Sequence, residues 1–294
     1  DNVVYTQVYL SDMKRYEAMN KVYGEFFPRN PPARAVIGVT RMPTDTPVEI
    51  NAIAVRNHKL RKALKLPPAM VNGAPLSYGA LVGNRYYLSG IVGRHEDGTV
   101  PQDARAQVKL MVERAQAVLK VAGLELRHLA SANIYVDGKM PFDALVKVLE
   151  EFIPSETATT VIQTAALPLG SHIEITGVAS RDTKRQGKCN SVGDTLYCSG
   201  RTGTIDQVAK ELKGDLEAAG AGLGNVVASN VYIDHLDNFN AMNKVYATYF
   251  KGSHPTRTTV QTANNPPTLA LTPSTGAKAP VEGPRVQISV TAVR

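Results

Sequence analysis

An α+β fold built from tandem copies of one unit is what this 294-residue sequence predicts, and three observations carry the prediction. The hexapeptide "AMNKVY" occurs at 18–23 and again at 241–246. The identity extends outward, pairing "VYLSDMKRYEAMNKVYGEFF" (8–27) with "VYIDHLDNFNAMNKVYATYF" (231–250), and a weaker third copy, "IYVDGKMPFDALVKVLEEF" (134–152), lies between them. Finally, "VEINAIAVR" (48–56), "IEITGVASR" (173–181) and "VQISVTAVR" (286–294) alternate like half-buried strands and close each copy.

Taken in order, each copy reads as a strand running into an Asp, an amphipathic helix with a Phe or Tyr near its start, a strand, and the closing strand. The second and third copies carry an earlier half. In "ALVGNRYYLSG" (80–90) and "NSVGDTLYCSG" (190–200), two short strands flank a Gly-Asn or Gly-Asp turn, a strong hairpin signal. A helix follows in "QVKLMVERAQAVLKVAGL" (107–124) and "QVAKELKGDLEAAGAGL" (207–223), each stopped by Gly. The unit is β-β-α-β-α-β-β. It divides the chain into 1–66, the C-terminal half of a first unit plus a linker; 67–181, a second unit; and 182–294, a third and partly degenerate one. The first copy lacks its hairpin and first helix. A half-unit leaves a sheet edge and an apolar face uncovered, so the missing piece is expected to exist, whether cleaved, left off the chain or supplied by another chain.

Composition bounds the function. With 43% hydrophobic and 20% charged residues the chain is globular rather than disordered. A net charge of +7 favours anionic partners, but the basic residues are scattered, so nucleic acid is not expected as the main partner. No apolar run approaches the roughly 20 residues of a membrane-spanning helix. The opening "DNVVYTQVYL" lacks signal-peptide character, although a trimmed chain would have lost such a segment. Neither GxxxxGK[ST] nor GxSxG is present, and "GAGLG" (220–224) falls where a helix stops. The six His show no metal-ligand spacing, and no metal or organic cofactor is expected. The proline-rich "NNPPTLALTPSTGAKAPVEGP" (264–284) reads as an exposed loop. If Gly193 and Asp194 form the turn, Cys189 and Cys198 lie directly opposite at a non-hydrogen-bonded pair, where a disulfide fits. In a reducing compartment the same pair is two free thiols. The compartment therefore stays open, with a periplasmic or secreted location slightly favoured over the cytoplasm.

The stretch "PARAVIGVTRMPTDTPVEINAIAVR" (32–56) resembles the Rid (YjgF) family of enamine/imine deaminases, and the resemblance covers essentially the whole chain as two and a half copies. It implies chorismate-mutase-like units. Three identical subunits with ligand clefts at their interfaces would here be fused into an intrachain pseudo-trimer. The implied reaction is hydrolysis of 2-imino acids to 2-oxo acids and ammonia. An Arg fork would hold the carboxylate, donors would orient the imine, and a carboxylate would activate water.

Carried over residue by residue, the family's Arg falls on Arg34 and Arg257, with Thr159 in the middle copy. The water-positioning Glu falls on Glu49 and Glu174, with Gln287 in the third copy, where an amide cannot act as a base. The Ser-Gly that ends the hairpin matches Ser89-Gly90 and Ser199-Gly200, and the cleft Asn matches Asn20 and Asn243, replaced by Val146. No unit holds the full set. Arg34 and Asn20 facing Ser89, Gly90 and Glu174 would complete one cleft. Arg257 would face Glu49 without a hairpin or Glu174 with one. A separation of 20 from Gly200 to Gly220, against 33 from Gly90 to Gly123, cuts back the wall of any cleft built on the third copy.

The alternative is a non-catalytic small-carboxylate-binding or assembly subunit, to which the losses at Thr159, Gln287 and Val146 point. Ribonuclease activity, attached to relatives, is disfavoured because the basic residues are not interleaved with aromatic stacking groups. The expected partners are a small 2-imino or 2-oxo acid and either the missing half-repeat or another copy of the chain. Ordinary explanations stand beside each residue: a salt-bridged Arg, a solvent-facing strand Glu, Ser-Gly as turn chemistry and a capping Asn.

Overall fold

Hairpins anchor the two longer units. In the computed structural model, which describes residues 2–64, 75–252, 254–263 and 284–294, strands β5 (Gly79–Val82) and β6 (Arg85–Val92) pair across Gly83-Asn84. Likewise β10 (Cys189–Val192) and β11 (Thr195–Thr204) pair across Gly193-Asp194. Gly83 and Gly193 take the positive φ (57° and 59°) that such tight turns require.

Each hairpin feeds a helix with a side-chain cap. Asp103 opens α2 (Ala104–Val121) by accepting from the Ala106 N–H, and Thr204 with Gln207 forms a capping box on α4 (Ile205–Ala218). Gly123 and Gly220, at φ 69° and 77°, end these helices in the left-handed conformation. The second unit continues through β7 (Leu129–Asp137), α3 (Phe142–Phe152), β8 (Ala158–Thr164) and β9 (Ile173–Ala179). The third continues through β12 (Val226–Ile233), α5 (Phe239–Tyr249), β13 (Thr256–Gln261) and β14 (Arg285–Val293). The first has only β1 (Val3–Leu10), α1 (Tyr16–Phe26), β2 (Ala33–Gly38) and β3 (Val48–Ala54).

The result is a mixed α+β fold of three sheets and five helices among the described residues. With β4 spanning Arg61–Leu64, the strand orders are β2-β1-β3, β4-β5-β6-β9-β7-β8 and β10-β11-β14-β12-β13. In each sheet a parallel pair (β1 with β2, β7 with β8, β12 with β13) lies next to an antiparallel strand (β3, β9, β14). Strand β4 (Arg61–Leu64), within the segment read as linker, adds itself to the edge of the second sheet by pairing with β5. The boundary at 66/67 and the proline-rich segment up to residue 283 lie outside the described residues.

Alternation sends each central strand's side chains two ways. Val8 and Leu10 pack under α1 with Tyr16 and Tyr23, whereas Tyr9 joins Tyr135, Tyr232, Ile37, Ile162 and Val260 in a cluster drawn from all three sheets. Packing the second and third sheets under helices on one face, and residues of all three sheets against one another on the other, gives the chain a core larger than any unit could form alone. No described helix is long and apolar enough to cross a membrane.

Cys189 and Cys198 face each other in register and are disulfide-bonded, with a sequence separation of 9. A loop of that size restrains the unfolded chain by about 2–3 kcal/mol. Urea unfolding with and without reductant should show a loss of up to that amount, and Cys198→Ser should remove the difference.

Candidate functional site

Both hairpins end in a bulge. Against β9, the register of β6 shifts between Leu88 and Ile91, and against β14 that of β11 shifts between Cys198 and Arg201. One extra residue on each strand turns Ser89-Gly90 and Ser199-Gly200 toward the neighbouring unit. Ser89 is fully buried there. Its Oγ accepts the Arg34 backbone N–H at 2.9 Å and donates to the Ser77 carbonyl, tying β2 to the hairpin of the next unit. At Gly90 a Cβ would sit 1.8 Å from Glu174 Oε1, so the absence of a side chain makes room for that carboxyl. Gly90→Ala should therefore destabilise the protein by about 1–3 kcal/mol through overpacking, measured by urea unfolding.

Arg34 is only 1% exposed, an unusual place for a guanidinium. Its register opposite Thr6 aims it under α1, where its guanidinium lies 4.6 Å from the Tyr23 ring centroid. Tyr23 is itself fixed by a 2.8 Å hydrogen bond between its hydroxyl and that of Thr6. The Nη2 of Arg34 donates to Asn20 Oδ1 at 2.7 Å. Burial pulls the Arg34 pKa down, and Tyr16, Tyr23 and Glu174 partly offset this. Its Nε has no hydrogen-bond partner among the described residues.

Glu174, on β9 opposite Val92 of β6, is 2% exposed. Burial pushes its pKa up to about 8, against the opposing pull of the Val36 backbone and of Arg34. Its Oε2 also lacks a partner among the described residues. Arg34 and Asn20 from the first unit thus meet Ser89, Gly90 and Glu174 from the second, with one donor and one acceptor buried and unspent.

The junction of the second and third units is different. Thr159, at the arginine position, points its hydroxyl at the Thr157 carbonyl, and Val146 packs on the second unit's core. Thr160 Oγ1 accepts the Gly200 N–H at 2.8 Å, and Gln287 Nε2 donates to the Val161 carbonyl at 3.0 Å. Ser199 is partly buried, and its N–H goes to the Lys188 carbonyl. The arginine, asparagine and glutamate positions thus hold Thr159, Val146 and Gln287, none of which carries charge.

At the junction of the third and first units, Arg257 lies 4.8 Å from the Tyr246 ring, whose hydroxyl is 2.8 Å from that of Ser229. This repeats the Arg34, Tyr23 and Thr6 arrangement. Across from it, burial raises the pKa of Glu49, offset by a hydrogen bond with Thr258 and by the charge of Arg257. Asn243 Oδ1 has no partner among the described residues, in contrast to Asn20. A cavity of about 260 Å³ opens here, lined by Glu49, Asn51, Arg257 and Thr258 and by Tyr87 and Tyr197 of the two hairpins. Among the described residues no cluster of His, Cys, Asp and Glu is placed to hold a metal ion.

Sequence reasoning missed Tyr16, Tyr23, Thr160 and Thr258. A signal for the tyrosine was present: Tyr23 and Tyr246 sit in the duplicated hexapeptide and accompany Arg34 and Arg257, whereas the middle copy has Leu149 with Thr159.

The fold is that of a mixed α+β protein in which polar residues are buried where β2 meets β6 and where β8 meets β11. The model of the family described as Endoribonuclease L-PSP matches residues 1–56, 69–181 and 188–271. The chain belongs to this family, the Rid (YjgF) family. A RutC family protein of Saccharolobus solfataricus is 42% identical over 57 residues, covering 19% of this chain and 45% of that protein. The chain thus spans less than half the length of that curated relative. Protein mmf2, mitochondrial, of Schizosaccharomyces pombe is 30% identical over 112 residues, 37% of this chain and 89% of that protein. Among solved structures, the YjgF gene product of E. coli shares 26% identity over 39% of this chain and 92% of its own, with a TM-score of 0.35.

Proposed function

We propose that the three units form an intrachain pseudo-trimer of β-β-α-β-α-β-β repeats, and that the Arg34–Glu174 junction hydrolyses 2-imino acids to 2-oxo acids and ammonia. One observation carries the reading: a guanidinium and a carboxyl from different units are buried together, each with an unpartnered polar atom. The unspent donor of Arg34 suits the substrate carboxylate, with Asn20 and Tyr23 holding the fork. Ser89 acts by fixing the backbone of Arg34, because its hydroxyl is already committed.

In the ionised state Glu174 takes a proton from water as the oxygen attacks the iminium carbon. It then returns that proton to nitrogen, and as the C–N bond breaks the carboxylate takes the carbinolamine hydroxyl proton, giving the 2-oxo acid and ammonia, which carries that proton away as ammonium. A pKa near 8 suits a group that must both accept and return a proton near neutral pH. Arg257 and Glu49 form a second, more open pair whose groups could receive the same substrate class, with Asn243 as a further contact. Ser199 and Gly200 line the uncharged junction, which favours a binding or assembly role for that part of the chain.

Ammonia release from freshly generated 2-iminopropanoate, followed with a coupled assay, tests the reaction. Calorimetric binding of 2-oxobutanoate without any ammonia release would replace catalysis with the carboxylate-binding reading. A polynucleotide substrate fits poorly, because Arg34 is too buried to meet a phosphate backbone.

A further inference from the structure

Four residues of α1, spaced at i, i+3, i+4 and i+7, share one helix face and gather round the Arg34 side chain: Tyr16, Met19, Asn20 and Tyr23. Met19 Sδ lies 3.9 Å from Nη1, Asn20 Oδ1 accepts Nη2 at 2.7 Å, and the guanidinium is 4.6 Å from the Tyr23 ring centroid. Tyr16, the first residue of the helix, brings its hydroxyl to both the guanidinium and the Asn20 side chain. In the third unit the same face is Phe239, Met242, Asn243 and Tyr246, beside Arg257. It matches position for position except at the first, where the hydroxyl is missing. In the second unit, with Thr159 at the arginine position, the face reads Phe142, Leu145, Val146 and Leu149. Of the three copies, the one with a phenol here is the one whose arginine meets the buried Glu174.

The ring does not need its hydroxyl to pack, since Phe142 and Phe239 pack at the same position against their own cores. Nor is the hydroxyl hydrogen spent. Asn20 turns its Oδ1 to Arg34, which leaves its amide NH2 for the phenol oxygen, and the guanidinium is a donor only. Burial, against the opposing pull of Arg34 and Asn20, holds the Tyr16 pKa above the ordinary tyrosine value, so the O–H keeps its proton at neutral pH. We propose that Tyr16 is a substrate-binding residue of the Arg34–Glu174 junction, its O–H donating to one oxygen of the substrate carboxylate while Arg34 Nε donates to the other. The two donors grip the carboxylate side by side and turn C2 toward Glu174. Phe239 leaves the Arg257 junction with its guanidinium alone, so the two arginine junctions differ in affinity for the same ligand. The inference rests on the reading that this junction receives a 2-imino or 2-oxo acid, and it adds a group that the proposed reaction does not use.

Tyr16→Phe in the full chain tests it, with 2-oxobutanoate as calorimetric ligand and 2-iminopropanoate as substrate. The expected result is about tenfold weaker binding and an equally raised KM, with kcat within about twofold, because a contact made equally in the ground and transition states alters binding alone. Urea unfolding should be unchanged. The chain has no tryptophan, so ultraviolet difference spectra read the phenols directly. Saturating 2-oxobutanoate should perturb a tyrosine band in the parent, and Tyr16→Phe should abolish that perturbation. Equal KM and equal affinity in the two proteins would overturn the inference while leaving the function of the junction standing. Weaker binding with the tyrosine perturbation retained would also overturn it, because the hydroxyl would then act only by holding Arg34. A parent that neither binds 2-oxobutanoate nor releases ammonia would overturn the reading of the junction, and this inference with it.

Discussion

Arg34→Lys is expected to lower kcat/KM for 2-iminopropanoate by about a hundredfold or more, with far-UV circular dichroism unchanged. Lysine keeps the charge and much of the volume, so the pocket under α1 stays filled, and its ammonium can still reach toward Asn20. What it cannot supply is a rigid fork with one edge on Asn20 Oδ1 and the Nε edge free. The face contact with Tyr23 at 4.6 Å also favours the planar group. Arg34→Ala should be worse and harder to interpret, since it leaves a hole and strips Asn20 of its donor. Arg257→Lys is the matched comparison, because that fork is more exposed and the asparagine beside it, Asn243, makes no hydrogen bond to it. Its loss should be no more than about threefold. Equal losses for the two variants would move the chemistry away from the first junction, and an unaltered rate for Arg34→Lys would remove the arginine from the reaction.

Much of this was legible in the sequence because repetition turns one chain into its own alignment. The duplicated hexapeptide marked the helix, and Gly-Asn and Gly-Asp marked the hairpins because few residues other than glycine take positive φ there. The pairing of Arg34 and Asn20 with Glu174 across units was also readable, because no single unit contained the set. Contacts that depend on one copy's divergence were not readable. Thr160 looks like an ordinary β-branched strand residue until Gly200 is brought within 2.8 Å of its hydroxyl. Ser89 reads as a donor for a ligand, yet the bulge turns its hydroxyl between the Arg34 amide and the Ser77 carbonyl. Strand β4 escaped notice because Arg61–Leu64 is short and has no period of its own. Its pairing depends on the free edge of β5, which is a tertiary fact.

The pH dependence of Glu174 separates a base from a bystander. With its pKa held at about 8 by burial, the carboxyl is mostly protonated at neutral pH, so a reaction that needs the carboxylate should gain about tenfold in kcat/KM per pH unit below 8 and level off above it. Stability should run the other way. The unfolded chain releases this proton near 4.5, the ordinary value for a glutamate, the folded chain only near 8, so between those limits rising pH favours the unfolded state by about 1.4 kcal/mol per unit. Glu174→Gln removes both trends. The variant should lose about two orders of magnitude or more in rate and lack the rising limb, while gaining stability over the parent above pH 8 in urea unfolding. The two readouts are independent, because the rate needs Glu174 ionised and the stability term needs only that it be buried. A rising limb that survives in Glu174→Gln would assign the proton transfer to another group, even if the stability difference appears as expected. A parent whose rate is flat from pH 6 to about 9 would leave Arg34 holding a carboxylate that no base turns over.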